Sequence, residues 1–269
     1  LRRQRQMCIR DSSLLRGPPM LNFSRFYGGV HICFQGRRLL FFRQPPVLFV
    51  CVFGVCAGWV FGVVVGARFA GTPGYDKVLV VGSEIYSRIL NWQDRTTCVL
   101  FGDGAGAAVL GEVEDGKGIL GSWLTSDGSG SGVIEIPAGG VRVPIPSDNF
   151  EEGMQYFHMD GRAVWNFAIE AFPQAVLSAL ERVGKSLDEV DLVIPHQANI
   201  NIIKTGMEKL GLPMEKTFTN LHNYGNTAGA SVPIAMREAM DEGLIRPGTL
   251  VVTAAFGGGL AWGANVIQF

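Results

Sequence analysis

Pro195-His196-Gln197-Ala198-Asn199 and, further along, Asn223-Tyr224-Gly225-Asn226-Thr227-Ala228-Gly229-Ala230-Ser231 decide how this chain is read. The apolar residues Leu192 to Ile194 run into His196, and Asn226 sits in a turn bracketed by Gly225 and Gly229. Each polar group therefore falls where a strand hands over to a helix. A neutral histidine and an asparagine at such places present hydrogen-bond donors to a developing negative charge without competing as a base. Each has a blander reading alone: His196 as a satisfied core histidine, Asn226 as a turn residue. Asn199 can cap the helix that begins there, which holds His196 at a strand end opening on a cleft. The pair is informative where either residue alone is not.

Working outward, Lys77 to Gly82 is a short apolar run of buried-strand type, and Glu84 to Leu90 is helix-like. Thr97 to Phe101 is predicted as a second strand, Gly102 to Gly106 as a flexible turn, and Ala107 to Leu110 as a third strand. Gly102 to Gly106 fits neither G-x-G-x-x-G nor a Walker sequence, so its glycines mark close packing of sheet against helix. Residues 126–132 alternate glycine and serine and read as a loop; 133–157 read as irregular. Asp160 caps a long amphipathic helix carrying Pro173 inside it. A strand at 191–195, a helix at 199–210, a short strand near Phe218, a helix at 227–241 and strands at 250–255 and 261–268 complete the series. Alternating strands and helices with buried strands imply a layered α/β architecture.

Composition sets the class. Across 269 residues, 47% are hydrophobic and 17% charged, the balance of a buried α/β protein rather than a disordered or fibrous one. The formal net charge of -1 hides an asymmetry, because residues 1–45 hold nine arginines, no lysine and only Asp11 as an acid. An arginine-rich arm can bind nucleic acid or serve as a transit segment. This arm lacks any period, and residues 1–46 are read as unmatched, non-native or disordered sequence. The five cysteines form no CxxC and no even framework, so neither a disulfide scaffold nor a structural zinc site is implied. That pattern fits a cytoplasmic, thiol-reduced setting. Val47 to Ala67 carries no charge and is long enough to cross a bilayer. It reads equally as a buried strand, a tight turn at Gly54 to Cys56, and a core helix from Ala57. The strands and helices from Lys77 onward favour the core, and no membrane association is expected.

Together with Cys56 in Cys56-Ala57-Gly58, His196 and Asn226 resemble the Cys-His-Asn set of β-ketoacyl-acyl-carrier-protein synthase III, a thiolase-fold condensing enzyme. The resemblance is dense over 75–269, patchy over 56–74 and absent from 1–45. The offset of His196 from Asn226 matches the family, as does the interval from Cys56 to Val81-Gly82-Ser83. Trp59, where the family usually has Phe, Ala67, where it usually has Asp, and the lead-in Phe53-Gly54-Val55 depart from it. The resemblance implies a thiolase-like layered αβαβα fold, with 47–159 a partial first half carrying the nucleophile and 160–269 a complete second half.

It also implies roles. Cys56 is the nucleophile, at a helix N-terminus whose dipole is expected to lower the thiol pKa. The backbone N–H groups of Cys56 and Gly258 form an oxyanion hole, Gly258 lying in a glycine run otherwise read as a β-turn. Arg95 resembles the residue that stacks on the coenzyme A adenine, although an ion pair with Asp94 explains it equally. Lys204 and Lys209 stand beside the site opening, where they would meet an acidic carrier protein unless they are merely solvated. The implied reaction is decarboxylative condensation of an acyl-CoA primer with malonyl-acyl-carrier protein, without metal or redox cofactor, by a homodimer that binds no nucleic acid. A chalcone-synthase-like ketosynthase, an inactive fragment or interaction module, and a membrane anchor at 47–67 stay open as alternatives. Because 1–45 offer no strand to pair with the sheet holding Lys77 to Gly82, the chain alone is expected to be insoluble or inactive.

Overall fold

The computed structural model describes residues 5–8, 31–33, 49–52 and 54–269. In chain order these form β1 (Arg5–Cys8), β2 (His31–Cys33), β3 (Phe49–Cys51), α1 (Gly58–Phe69), β4 (Val78–Glu84) and β5 (Gly104–Glu112). Next come β6 (Gly118–Ser126), β7 (Ile134–Glu135), β8 (His158–Met159), α2 (Gly161–Val183), β9 (Leu192–Pro195) and α3 (Ile200–Lys209). The chain closes with α4 (Leu221–Tyr224), α5 (Ser231–Asp241), β10 (Leu250–Gly257) and β11 (Ala261–Gln268).

Two sheets organise them, one in the order β1-β5-β4 and the other β6-β11-β10-β9. β10 runs parallel to β9 and antiparallel to β11. All eight of its residues are buried, as a strand covered on both faces requires. Its side chains alternate between two cores: Val251 and Ala255 join one, Val252, Ala254 and Phe256 the other. The first core lies between the sheets and is filled by α1 and α5, through Val60, Val63, Val232 and Met236. The second lies on the far face of the larger sheet, under α2 and α3. The described layers therefore run sheet, helices, sheet, helices. Among the described residues no helix covers the outer face of β4, where Leu79 and Val81 are 61% and 52% exposed.

Local chemistry explains the element ends. The Asp160 carboxylate accepts the N–H groups of Arg162 and Ala163 and starts α2, which stops at Gly184 in the left-handed conformation that glycine adopts without cost. Pro173 lies inside α2 as expected. Asn199 caps α3 by accepting the Asn201 N–H at 2.8 Å.

Several expectations are corrected. Thr97 to Phe101 is not a strand: the Asp94 carboxylate binds Thr96 and Thr97 and winds the segment into turns, and Phe101 makes only a single bridge, to Asn226. Gly102 to Gly106 is not merely a turn, because Gly104 already opens β5. The close-packing reading of its glycines holds, since a Cβ on Gly106 would stand 2.8 Å from Pro233 at the start of α5. In place of a helix over Glu84 to Leu90, β4 extends through Glu84 and one 3-10 turn follows at Tyr86–Arg88. β6, which no pattern announced, pairs with β11 along its length. Residues 1–45 do supply a strand, for β1 pairs antiparallel with β5, Arg5 opposite Glu112. The reading of 1–46 as non-native or disordered otherwise falls outside the described residues. As for Val47 to Ala67, no helix among the described residues is long and apolar enough to cross a membrane, and the 12-residue α1 buries Trp59, Val60 and Val63 in the core.

Candidate active site

His196 follows the last residue of β9, and its backbone N–H donates to the Ala254 carbonyl of β10 at 2.7 Å. The sheet register thus delivers the ring to the strand ends. It is 1% exposed, and Nδ1 lies 2.6 Å from the Ser231 hydroxyl oxygen. The Phe256 ring meets it edge to face. Burial lowers its pKa to about 3, so the imidazole is neutral at physiological pH. Its neighbour Gln197 is equally buried and ties the end of β9 to residues 218–220: its Nε2 donates to the Pro195 and Phe218 carbonyls and its Oε1 accepts the Asn220 N–H.

Asn226 is held from both sides. Its N–H donates to the Leu100 carbonyl at 2.9 Å, and its carbonyl accepts the Gly102 N–H at 3.0 Å. Side-chain Oδ1 accepts the Ala228 N–H at 2.8 Å, closing a tight local turn that holds Ala228 at φ 46°. The amide NH₂ is thereby left as the donor that this turn does not use. A Cβ on Gly102 would stand 2.0 Å from the Tyr224 carbonyl oxygen, so only glycine lets these backbones meet.

Cys56 lies in a 3-10 turn, Val55–Ala57, that leads directly into α1. The expectation that the dipole lowers its pKa is overturned. Burial pushes the thiol up to about 12, the Glu84 charge adds to this, and hydrogen bonds from the Tyr86 side chain and the Cys56 backbone pull the other way. Desolvation of a thiolate outweighs a dipole whose reach is one helical turn. The thiol rests protonated.

Cys56, His196 and Asn226 line one cavity of about 30 Å³ with Val55, Tyr86, Phe101, Phe157, Phe167, Phe256 and Gly257. That volume holds roughly one or two water molecules. Gly257 rather than Gly258 touches the cysteine: a Cβ there would stand 2.9 Å from both Cys56 Cβ and Cys56 N, whereas one on Gly258 would meet Ile134. Arg95 is exposed, and Asp94 spends its carboxylate on Thr96 and Thr97 instead of on Arg95. Lys204 and Lys209 are exposed on α3, with Lys209 paired to Glu170 of α2. Among the described residues no cluster of three or more His, Cys, Asp or Glu could hold a metal ion.

Three neighbours of the cavity escape a reading of the sequence. Tyr86 hydrogen-bonds Cys56 and stacks on Phe101 at 4.6 Å between centroids. Ser231 holds His196. Glu84 ends β4 with Oε1 accepting the Gly229 N–H at 3.2 Å, and burial raises its pKa from 4.5 to about 7. A raised carboxyl pKa means the ionised group weakens the fold. The penalty is absent below pH 4.5, grows as pH rises to about 7, and stays constant above. Glu84→Gln, which keeps an acceptor for Gly229, is therefore expected to raise stability above neutral pH, by at most about 3 kcal/mol, and to leave it unchanged in acid. Thermal melts of both proteins across pH check this; equal melting temperatures at alkaline pH would refute it.

Comparison with known proteins gives the family. Residues 52–128 match the family model described as 3-oxoacyl-[acyl-carrier-protein (ACP)] synthase III, and residues 180–269 match the model of its C-terminal part. Together they take in more than half of the chain. The chain belongs to the 3-oxoacyl-[acyl-carrier-protein] synthase III family. Among its relatives, the β-ketoacyl-[acyl-carrier-protein] synthase III of Symbiobacterium thermophilum is 46% identical over 214 residues, 80% of this chain and 65% of the relative. That of Caldanaerobacter subterraneus is also 46% identical over the same share of each. The solved synthase III of Thermus thermophilus superposes with a TM-score of 0.74 at 39% identity, covering 80% of this chain and 66% of that one. The synthase III of Aquifex aeolicus gives 0.71 at 39%, covering 80% and 65%. The fold is accordingly the thiolase-like α/β fold of the synthase III family. The chain spans about 65% of the length of the curated relatives it matches.

Proposed function

We propose that this synthase III chain catalyses the decarboxylative Claisen condensation of an acyl-CoA primer, acetyl-CoA in the simplest case, with malonyl-acyl-carrier protein. The observation that carries this reading is the convergence of Cys56, His196 and Asn226 on one buried cavity. In the first half-reaction the Cys56 sulfur adds to the thioester carbon, coenzyme A leaves with the thiol proton, and the acyl group stays on Cys56. Backbone N–H groups of Cys56 and of the Gly257-Gly258 segment hold the oxyanion. In the second, His196 and the Asn226 amide hydrogen-bond the malonyl thioester oxygen while carbon dioxide departs. The resulting enolate attacks the acyl carbon, the Cys56 thiolate leaves and takes a proton from solvent, and a 3-oxoacyl-carrier protein is released. The chemistry is complete without a metal or redox cofactor.

Arg95, Lys204 and Lys209 are proposed contacts for coenzyme A and the carrier protein, Lys204 more than Lys209 because Glu170 occupies the latter. Family membership also supports a homodimer acting in the cytoplasm at the first condensation of fatty-acid synthesis. A second reading rests on the priming β-ketosynthase of the R1128 polyketide pathway, 30% identical with a TM-score of 0.71: the same cavity would then prime a secondary-metabolite chain. The test supplies the protein with malonyl-carrier protein and either acetyl-CoA or longer and branched acyl-CoA primers. Carbon dioxide release and the mass of the carrier-bound product are followed. Condensation with acetyl-CoA supports the first reading, preference for another primer the second, and no product with any primer overturns both.

A further inference from the structure

We infer that Ser231 is a positioning residue, which fixes His196 as the tautomer with its proton on Nε2. Counting donors and acceptors around the hydroxyl decides the matter. Ser231 is 2% exposed and opens α5. Among the described residues its hydroxyl oxygen meets two groups, the Gln197 backbone N–H at 3.3 Å and His196 Nδ1 at 2.6 Å. A hydroxyl has one proton and two lone pairs, and a backbone N–H can only donate. Gln197 therefore occupies a lone pair, and the Ser231 proton needs an acceptor. Were Nδ1 protonated, it too would donate to Ser231, and a buried hydroxyl proton would be stranded at the cost of an unmade hydrogen bond. With the Ser231 O–H donating to Nδ1, every group is satisfied. The ring proton then resides on Nε2, the nitrogen left for the cavity that Cys56 and Asn226 also line.

The backbone around this contact is built to keep it. His196 is pinned to β10 through Ala254, Gln197 to residues 218–220, and the Phe256 ring meets the imidazole edge to face. The tautomer assigns the ring a direction of service: Nε2–H donates to an oxygen and has no lone pair with which to take the Cys56 proton. This rests on the proposed condensation for its use in catalysis, although the tautomer itself does not depend on it.

The experiment uses the 269-residue chain with isotope-labelled histidine ring nitrogens, and the His196 signal is identified by its loss in His196→Gln. At neutral pH the expected spectrum shows a proton-bearing Nε2 and a bare Nδ1. Ser231→Ala is expected to lose that preference and to lower the turnover of malonyl decarboxylation roughly tenfold with little change in KM. Ser231→Thr, which keeps the hydroxyl, is expected to restore both. A wild-type His196 protonated on Nδ1 or on both nitrogens, or an unchanged Nε2–H signal in Ser231→Ala, would overturn the assignment. A proton on Nε2 that Ser231→Ala abolishes, in a chain that decarboxylates no malonyl thioester, upholds the assignment and overturns the condensation reading instead.

Discussion

Cys56→Ser is expected to lose condensation by several orders of magnitude, and acetyl-CoA is expected to label Cys56 and no other cysteine. A serine hydroxyl is far less acidic than a thiol and is almost wholly protonated at neutral pH. The structure adds a second signature. Because burial pushes the Cys56 thiol up to about 12, the acylation rate is expected to climb about tenfold per pH unit through the neutral range with no plateau. Peptide mapping after incubation with mass-tagged acetyl-CoA locates the label, and single-turnover kinetics give the pH profile. Label on Cys51, which lies on β3 and is partly exposed, would remove Cys56 from its role. So would retained condensation in the serine variant. A plateau near neutrality would show a thiolate already formed, and the burial argument would fail.

Removing His196 or Asn226 should separate the two half-reactions. His196→Ala and Asn226→Ala are each expected to form acyl-Cys56 yet to decarboxylate malonyl-carrier protein at least ~10²-fold more slowly, the size of effect seen when an oxyanion donor is lost. The buried imidazole has a pKa of about 3, so it is a poor acceptor for the Cys56 proton and stays neutral across the range where an exposed histidine titrates. No histidine-like inflection is therefore expected in the decarboxylation profile between mildly acid and neutral pH. Acyl-enzyme formation and carbon dioxide release, measured separately, decide the matter. If His196→Ala abolishes acylation as well, His196 is the base for Cys56 and the division of roles is wrong.

His196 and Asn226 could be read from the chain because each is placed by short-range rules: a strand end followed by an Asn199 cap, and a turn closed by the asparagine's own side chain. The strand and helix series after Asp160 was legible for the same reason. Thr97 to Phe101 was not, since three threonine and aspartate side-chain bonds override an apolar, β-favouring pattern. Glycines at 104 and 106 suggested a turn by residue type, but they serve a sheet pressed against Pro233 and Ile234. Tyr86 and Gly257 reach the cavity, and Glu84 and Ser231 the residues that line it, through sheet register and helix docking, which leave no local mark. Depth was likewise invisible. A cysteine at the mouth of a helix suggests a thiolate, and burial, with the Glu84 charge beside it, reverses the sign.

The bridge between Phe101 and Asn226, with Leu100 and Gly102 bonded to either side of the asparagine, has a consequence for how the protein is made. Synthesis proceeds from the N-terminus, so the ribosome releases the Leu100 segment long before the Asn226 turn that docks on it exists. The cysteine-bearing turn emerges earlier still. A nascent chain thus carries the proposed nucleophile for much of its synthesis without the pair proposed to decarboxylate malonyl groups. The three residues are brought together only by that late closure.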